Sequence, residues 1–343
     1  MLELPSKGKG REDSLLAFAR ELRNIQRQID FKVSARGWCY QLEQFGLITK
    51  GQFDRVENII NHDLRAKGYL PIDFVAAEES RKFSGVETPM TETPSEFMKR
   101  FLEETLECEN YYTPDWWDGE EFYIQMVVEK IDLKSLFEPM CRGYHIPIAT
   151  SKGWSSMLQR AEYARRFKEA EDMGLKCVLL YCGDHDPDGL RISEALRANL
   201  DDLAFIRWGD GERGYDPADL KIDRFGLNYD FIVANNLSWI NNLITGSKKD
   251  LASPSHKNHY LPYVQEYLAT VGERKCEANA LVVAPAQGRQ LCKEAIENYL
   301  GQDAVGRFKA RWQVISDKME SVREKAGVRD AVEEAIKMIG EED

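Results

Sequence analysis

The strongest constraint on the fold is a change of hydrophobic period in the middle of the chain. Phe122-Tyr-Ile-Gln-Met-Val-Val128, His145-Ile-Pro-Ile-Ala-Thr150 and Cys177-Val-Leu-Leu-Tyr-Cys182 are short and nearly continuously apolar, as strands covered on both faces are. Helical segments fall between and after them, near 132–140, from about 154 to 173 with Gly174 as the stop, and near 190–200. This βαβαβα order predicts a parallel sheet with right-handed crossovers. Pro147 cannot donate to a ladder, so its strand is expected at an edge or only briefly paired.

The 343 residues suit two or three domains, and 43% hydrophobic content is enough to bury a core. Ahead of the sheet, Leu15, Leu16, Phe18, Leu22, Ile25 and Ile29 recur at helical spacing over 13–30. Ser34 can cap a second helix that Gly46 ends. A third runs from Gln52 to Lys67 with Phe53, Val56, Ile59, Ile60 and Leu64 on one side and Gly68 as its stop. Tyr69-Leu-Pro-Ile72 reads as a short extended piece, so 1–82 has the outline of a winged-helix module. Residues 83–120 read as an acidic linker with one helix, Ser95 to Cys108. The sheet domain is expected over 121–210, and 211–343 as a mostly helical region completing that lobe.

The net charge of −12 is unevenly spread. Residues 83–121 hold eleven acids against Lys99 and Arg100, and 330–343 hold six against Lys337. The remainder is close to neutral, which excludes nonspecific coating of DNA by bulk charge and leaves specific nucleic-acid binding open. Seven cysteines without a C-x-x-C pair do not make a disulfide or zinc framework, and Cys177 and Cys182 read as reduced core residues. No apolar run approaches the roughly 20 residues of a membrane helix. The N-terminus has no signal core, so a cytoplasmic protein without membrane partners is expected, nucleoid-associated if prokaryotic.

Glu129 follows the first strand, and Asp184-His-Asp186-Pro-Asp188-Gly189 follows the third. Ligands bind at the carboxyl ends of strands in an open parallel sheet. Glu129, Asp184 and Asp186 should therefore meet at one edge. Three clustered carboxylates repel, and a divalent cation relieves that repulsion; all-oxygen ligation suits Mg²⁺ or Mn²⁺. Taken alone, Asp-x-Asp-Pro-Asp-Gly is ordinary turn chemistry. His185 is left outside the shell, because adjacent extended residues point apart. Lys130, Lys152 and Ser155 are candidate nucleic-acid contacts, the last two at the start of a helix where backbone N–H groups favour an anion. Each has a plainer reading as a solvated lysine or an N-cap.

A strand ending in Glu and a later strand ending in Asp-x-Asp resemble the Toprim domain of topoisomerases, primases and several nucleases, over roughly 121–205. The forms Val127-Val-Glu129-Lys130, His145–Ser156 and Gly183–Gly189 are more similar to the A subunit of type IIB topoisomerases and its relative, the meiotic double-strand-break transesterase. That resemblance implies an upstream helical DNA-binding module with a nucleophilic tyrosine shortly after an arginine. Arg36 and Tyr40 match the spacing, and Cys39 replaces the family's first tyrosine. Trp38, Leu42 and Phe45 at i, i+4 and i+7 form the expected core stripe. Tyr40 lies away from that stripe and shares a face with Arg36. Gly272–Leu281 has a basic-acidic segment like one late in this branch, and Lys248, Lys249, His256 and Lys257 form a basic cluster that could track a DNA backbone, but both are read in preference as solvated loops.

The resemblance implies a Mg²⁺-dependent (or Mn²⁺-dependent) DNA transesterase in which Tyr40 forms a 5′-phosphotyrosyl link. Arg36 would neutralise the phosphate, and Glu129, Asp184 and Asp186 would hold the metal. It implies a homodimer in which each tyrosine meets the partner's metal site. The chain has no phosphate-loop motif of its own, so strand passage would need a separate ATPase subunit. Two alternatives stand beside this: a Toprim nuclease that hydrolyses DNA or RNA with metal-activated water, and a non-cleaving DNA-binding or assembly protein.

Overall fold

The computed structural model describes residues 4–5, 8, 10–29, 31–71, 74–76, 89, 91–151, 157–204, 206, 213–244 and 249–342. Two compact units emerge, one of residues 1–77 and 120–300, the other of 78–119 and 301–343.

The first unit begins with α1 (Arg11–Gln26), α2 (Ala35–Gln44) and α3 (Phe53–Asn58). Ser34 caps α2 by accepting from the Gly37 N–H at 2.9 Å. The helical path of α3 continues as wider π turns over Ile59–Arg65, keeping Ile59, Ile60 and Leu64 buried beside Phe53 and Val56. Two expected core positions are exposed: Leu16, at 36%, and Phe45, at 45%. Phe45 caps the end of α2 just before Gly46 at φ +67°, so it leaves the stripe that Trp38 and Leu42 continue. Tyr69 to Pro71 form no strand; Ile72 lies outside the described residues.

In the second unit, α4 (Pro94–Thr105) has a capping box in which Thr93 and Glu96 satisfy each other's backbone N–H groups. The 83–120 region is not merely a solvated linker: α4 packs on the final helix of the chain. The 301–343 segment likewise groups with 78–119 rather than completing the sheet lobe.

The sheet comprises β1 (Phe122–Val128), β2 (Ile148–Thr150), β3 (Lys176–Cys182) and β4 (Lys221–Gly226), all parallel, in the order β2-β1-β3-β4. The expected short edge strand is β2, and Pro147 lies just before it, its carbonyl accepting from Met126 N–H at 2.8 Å. β4 was not expected. Three of its six residues are charged, and it shows no apolar period.

Helix α5 (Ile131–Gly143) packs on β1 and β2. Helices α6 (Met157–Asp172), α7 (Pro187–Leu190) and α8 (Ile192–Asp201) follow, with α6 against β1 and β3 and α8 against β4. The order β2-β1-β3 means that the chain leaves β1 in one direction along the sheet and leaves β3 in the other. The crevice at a parallel sheet's topological switch point therefore opens between the carboxyl ends of β1 and β3.

Beyond the sheet lie α9 (Tyr229–Ala234), α10 (Pro262–Thr270), α11 (Ala280–Val283) and α12 (Pro285–Leu300), the last against α5 and β4. Helices α13 (Ala304–Lys325) and α14 (Val328–Glu342) belong to the second unit. There Arg323 ties to the Leu106 carbonyl and to Glu109, and Trp116 packs on Phe308 with 4.6 Å between rings. No described helix is long and apolar enough to cross a membrane. All seven cysteines are free, and six are buried.

Candidate functional site

The switch-point crevice holds the expected carboxylates. Val128 pairs with Cys182 across β1 and β3, so Glu129 and Asp184 leave adjacent strand ends. The Asp184 N–H donates to Glu129 Oε2 at 2.8 Å. Gly183 between the strands has no room for a side chain: a Cβ there would lie 2.5 Å from Tyr181 Oη and 2.8 Å from Glu129 Oε2. The Lys130 ammonium bridges the pair, 2.9 Å from Glu129 Oε1 and 2.9 Å from Asp184 Oδ2.

Asp186 is nearby but otherwise engaged. Its Oδ1 accepts from the Gly189 N–H at 2.6 Å and caps α7. Among the described residues, no group of three or more His, Cys, Asp or Glu side chains forms a metal site. The expected three-carboxylate shell therefore reduces, as the side chains stand, to a Glu129–Asp184 pair with Asp186 behind it. That pair fits a hard divalent cation, because Mg²⁺ is commonly held by one or two carboxylates with water and phosphate oxygens, and the pair already faces a positive charge. His185 points elsewhere, its Nδ1 2.8 Å from the Leu227 carbonyl and its ring among Tyr229, Trp239 and Tyr267. Lys152 and Ser155 lie outside the described residues.

The 272–281 segment is not a solvated loop. Cys276 exchanges backbone hydrogen bonds with His185, and Ala278 N–H donates to Asp184 Oδ1 at 2.7 Å. Glu277, only 2% exposed, accepts from Lys275 at 2.9 Å and from Lys50 at 2.6 Å. His256, too, is buried, and its Nδ1 accepts from Asn258 N–H. β4 contributes Arg224, which donates to the carbonyls of Asp184 at 2.9 Å and Gly189 at 3.1 Å and so braces the acidic turn.

Lys50 and Asp132 seat the N-terminal helices on the sheet. Asp132 accepts from the Ser34 N–H at 2.8 Å, and Gly37 passes so close that an added Cβ would meet Asp132 Oδ2 at 2.0 Å. This places Tyr40 over the crevice of its own chain. The Lys130 and Lys50 ammonium groups lie 5.7 and 5.8 Å from its ring centre, and Phe53 meets the ring edge-on at 5.0 Å. Arg36 is near the same aromatic pair, with its guanidinium 5.0 Å from the Phe53 ring centre, and is held by Glu57 at 2.7 Å and Asp54 at 3.2 Å.

Burial raises the Asp184 carboxyl to about 6, with the Glu129 and Glu277 charges adding to it and Lys130 opposing. Asp186 is raised by burial and by Asp184. Burial works against the Lys130 charge, but Asp184 and Glu129 outweigh it and hold the ammonium well above its usual value. Burial and Glu277 raise the Tyr40 phenol, with Lys130 and Arg36 pulling the other way. Glu277 moves in the opposite sense: burial would raise it, yet Lys275, Lys130 and Lys50 hold it down to about 2.

Glu277→Gln should therefore destabilise the protein by about 3 kcal/mol near neutral pH, because Lys275 is left buried without its counter-charge. A depressed carboxyl contributes stability above its unfolded value, near 4.5, that is lost as pH falls through about 2. In urea melts, the deficit of the variant should be full above pH 4.5 and narrow in acid.

Neither a protein-family model, nor a curated protein, nor a solved structure matches this chain.

Proposed function

We propose that the chain is a Toprim-type enzyme that cleaves DNA phosphodiesters at the Glu129–Asp184 edge, with Tyr40 as the attacking group. The observation that carries this reading is the convergence of Tyr40, Lys130, Glu129 and Asp184, supplied by a separate helical module and by two strand ends, on one crevice. The three-helix module is read as winged-helix-like and the sheet as a Toprim domain, on the motifs quoted above.

Glu129 and Asp184 would hold Mg²⁺ or Mn²⁺, with Asp186 behind them. Bound there, the ion would supply Lewis-acid polarisation of a phosphate oxygen. The chain's own residues do the rest. Lys130, between the carboxylates and the ring, is placed to take a phosphate oxygen. Tyr40 Oη forms a bond to phosphorus as the bond to the 3′-oxygen breaks; the phenol's proton is lost and the 3′-oxygen gains one, so the exchange is proton-neutral overall. Arg36 neutralises the attacked phosphate once it exchanges Glu57 for it. The Tyr40 ring lies beside the Lys130 of its own chain, which supports one chain carrying a full set of groups, and two chains acting together would make a double-strand break. Strand passage would require a separate ATPase.

A water-based nuclease is the second reading. Two observations favour it: the phenol is raised rather than lowered, and Arg36 is already paired with Glu57. Incubating supercoiled plasmid with Mg²⁺ or Mn²⁺ and running denaturing gels with and without proteinase separates the two. Transesterification gives nicked or linear DNA that carries protein until digestion. Free 5′-phosphate ends would support hydrolysis, and no metal-dependent cleavage would leave a non-cleaving DNA-binding protein.

A further inference from the structure

The Glu129–Asp184 pair already has a cation, and it comes from the chain itself. One oxygen of each carboxylate is committed to backbone: Glu129 Oε2 to the Asp184 N–H at 2.8 Å, and Asp184 Oδ1 to the Ala278 N–H at 2.7 Å. The other two, Glu129 Oε1 and Asp184 Oδ2, both meet Lys130 Nζ at 2.9 Å. The ammonium thus stands where the free lone pairs converge, which is where a hard cation would have to sit. Lys130 lies just before α5 with extended backbone, φ −115° and ψ 148°, so its long side chain reaches in from a strand–helix loop. The pair is largely withdrawn from water, with the Asp184 side chain 11% exposed, so charges there interact strongly.

We infer that Lys130 is a built-in counter-cation that occupies the divalent-ion position, so that an incoming ion must evict it. Two positive charges cannot share these two oxygens. The lysine offsets one of the two carboxylate charges when no ion is bound, at the cost of weaker ion binding. On eviction, its ammonium is released on the Tyr40 side of the crevice, where its Nζ already lies 5.7 Å from the ring centre. The inference deepens the cleavage reading, on which it rests, by assigning Lys130 a role toward the cation before any nucleic acid arrives.

Titration of the full chain with Mn²⁺ alone, by calorimetry or by the electron-spin signal of free Mn²⁺, tests it without any activity assay. Lys130→Met and Lys130→Gln, the second keeping a polar group should the first fold poorly, should each bind Mn²⁺ about tenfold or more tightly than the wild type. Asp184→Asn should lose the binding, which locates the ion at this pair. Equal or weaker binding by both Lys130 variants, with Asp184→Asn still losing it, overturns the counter-cation role and leaves the cation site standing. Failure of every form to bind Mn²⁺ at millimolar concentration overturns both.

Discussion

Tyr40→Phe should eliminate protein-linked DNA and lower cleavage by about a thousandfold or more, the loss expected when a covalent nucleophile is removed. The substitution removes one oxygen and leaves the ring, which is what packs against Phe53 and lies near Lys50 and Lys130. Folding and Mn²⁺ binding should therefore match the wild type, which makes the result specific to the hydroxyl. Cleavage at the wild-type rate by the variant would assign Tyr40 a packing role and the chemistry to water. The phenol's raised value has a kinetic consequence: attack should accelerate with pH through neutrality, because the fraction of phenolate is small there. Mixing Tyr40→Phe with Asp184→Asn is equally informative. If each tyrosine serves its own chain's acids, the mixture stays inactive; restored activity would show exchange between chains.

Asp184→Asn should abolish metal-dependent cleavage and, in the presence of a chelator, raise stability at pH 7. The carboxyl is raised to about 6 in the folded chain from 3.8. A raised acid favours folding fully below its unfolded value, and that contribution is lost as pH rises through about 6. The wild type should then lose on the order of 1–3 kcal/mol between pH 4 and pH 6 that the asparagine variant does not lose, since a tenfold change in proton affinity on folding corresponds to about 1.4 kcal/mol. Urea midpoints measured across that range check this, and parallel curves for the two proteins would contradict it. Protons and the ion compete for Asp184, so Mn²⁺ binding should weaken as pH falls through about 6.

Much of this architecture is legible in the sequence because its signals are local. Three apolar runs and their intervening helices mark β1, β2, β3 and the crossovers, and Pro147 marks the sheet edge. Glu129 and Asp184 follow from the rule that strand ends in a parallel sheet share an edge. Other features have no local signal. β4 is charged because its side chains serve distant partners, with Arg224 bracing the acidic turn and Asp223 accepting from Tyr299 at 2.6 Å. Lys275 and Glu277 look like loop residues because charge usually means exposure; here they are buried as a pair, and Lys50, from the N-terminal module, completes them. The grouping of 78–119 with 301–343 joins two segments whose amphipathic faces give no hint of which partner each will choose.

The Ala278 N–H on Asp184 and the Glu277 carboxylate on Lys50 have a consequence for synthesis. A ribosome that has released only the first 270 residues exposes a nascent chain bearing Tyr40, Glu129 and Asp184, but lacking the strap that fixes the acidic turn and anchors the helical module. Contacts of such long sequence separation form late. The acidic turn and the helical module are thus fastened together only once translation has passed residue 278, so Tyr40, Glu129 and Asp184 are brought to one crevice late in synthesis.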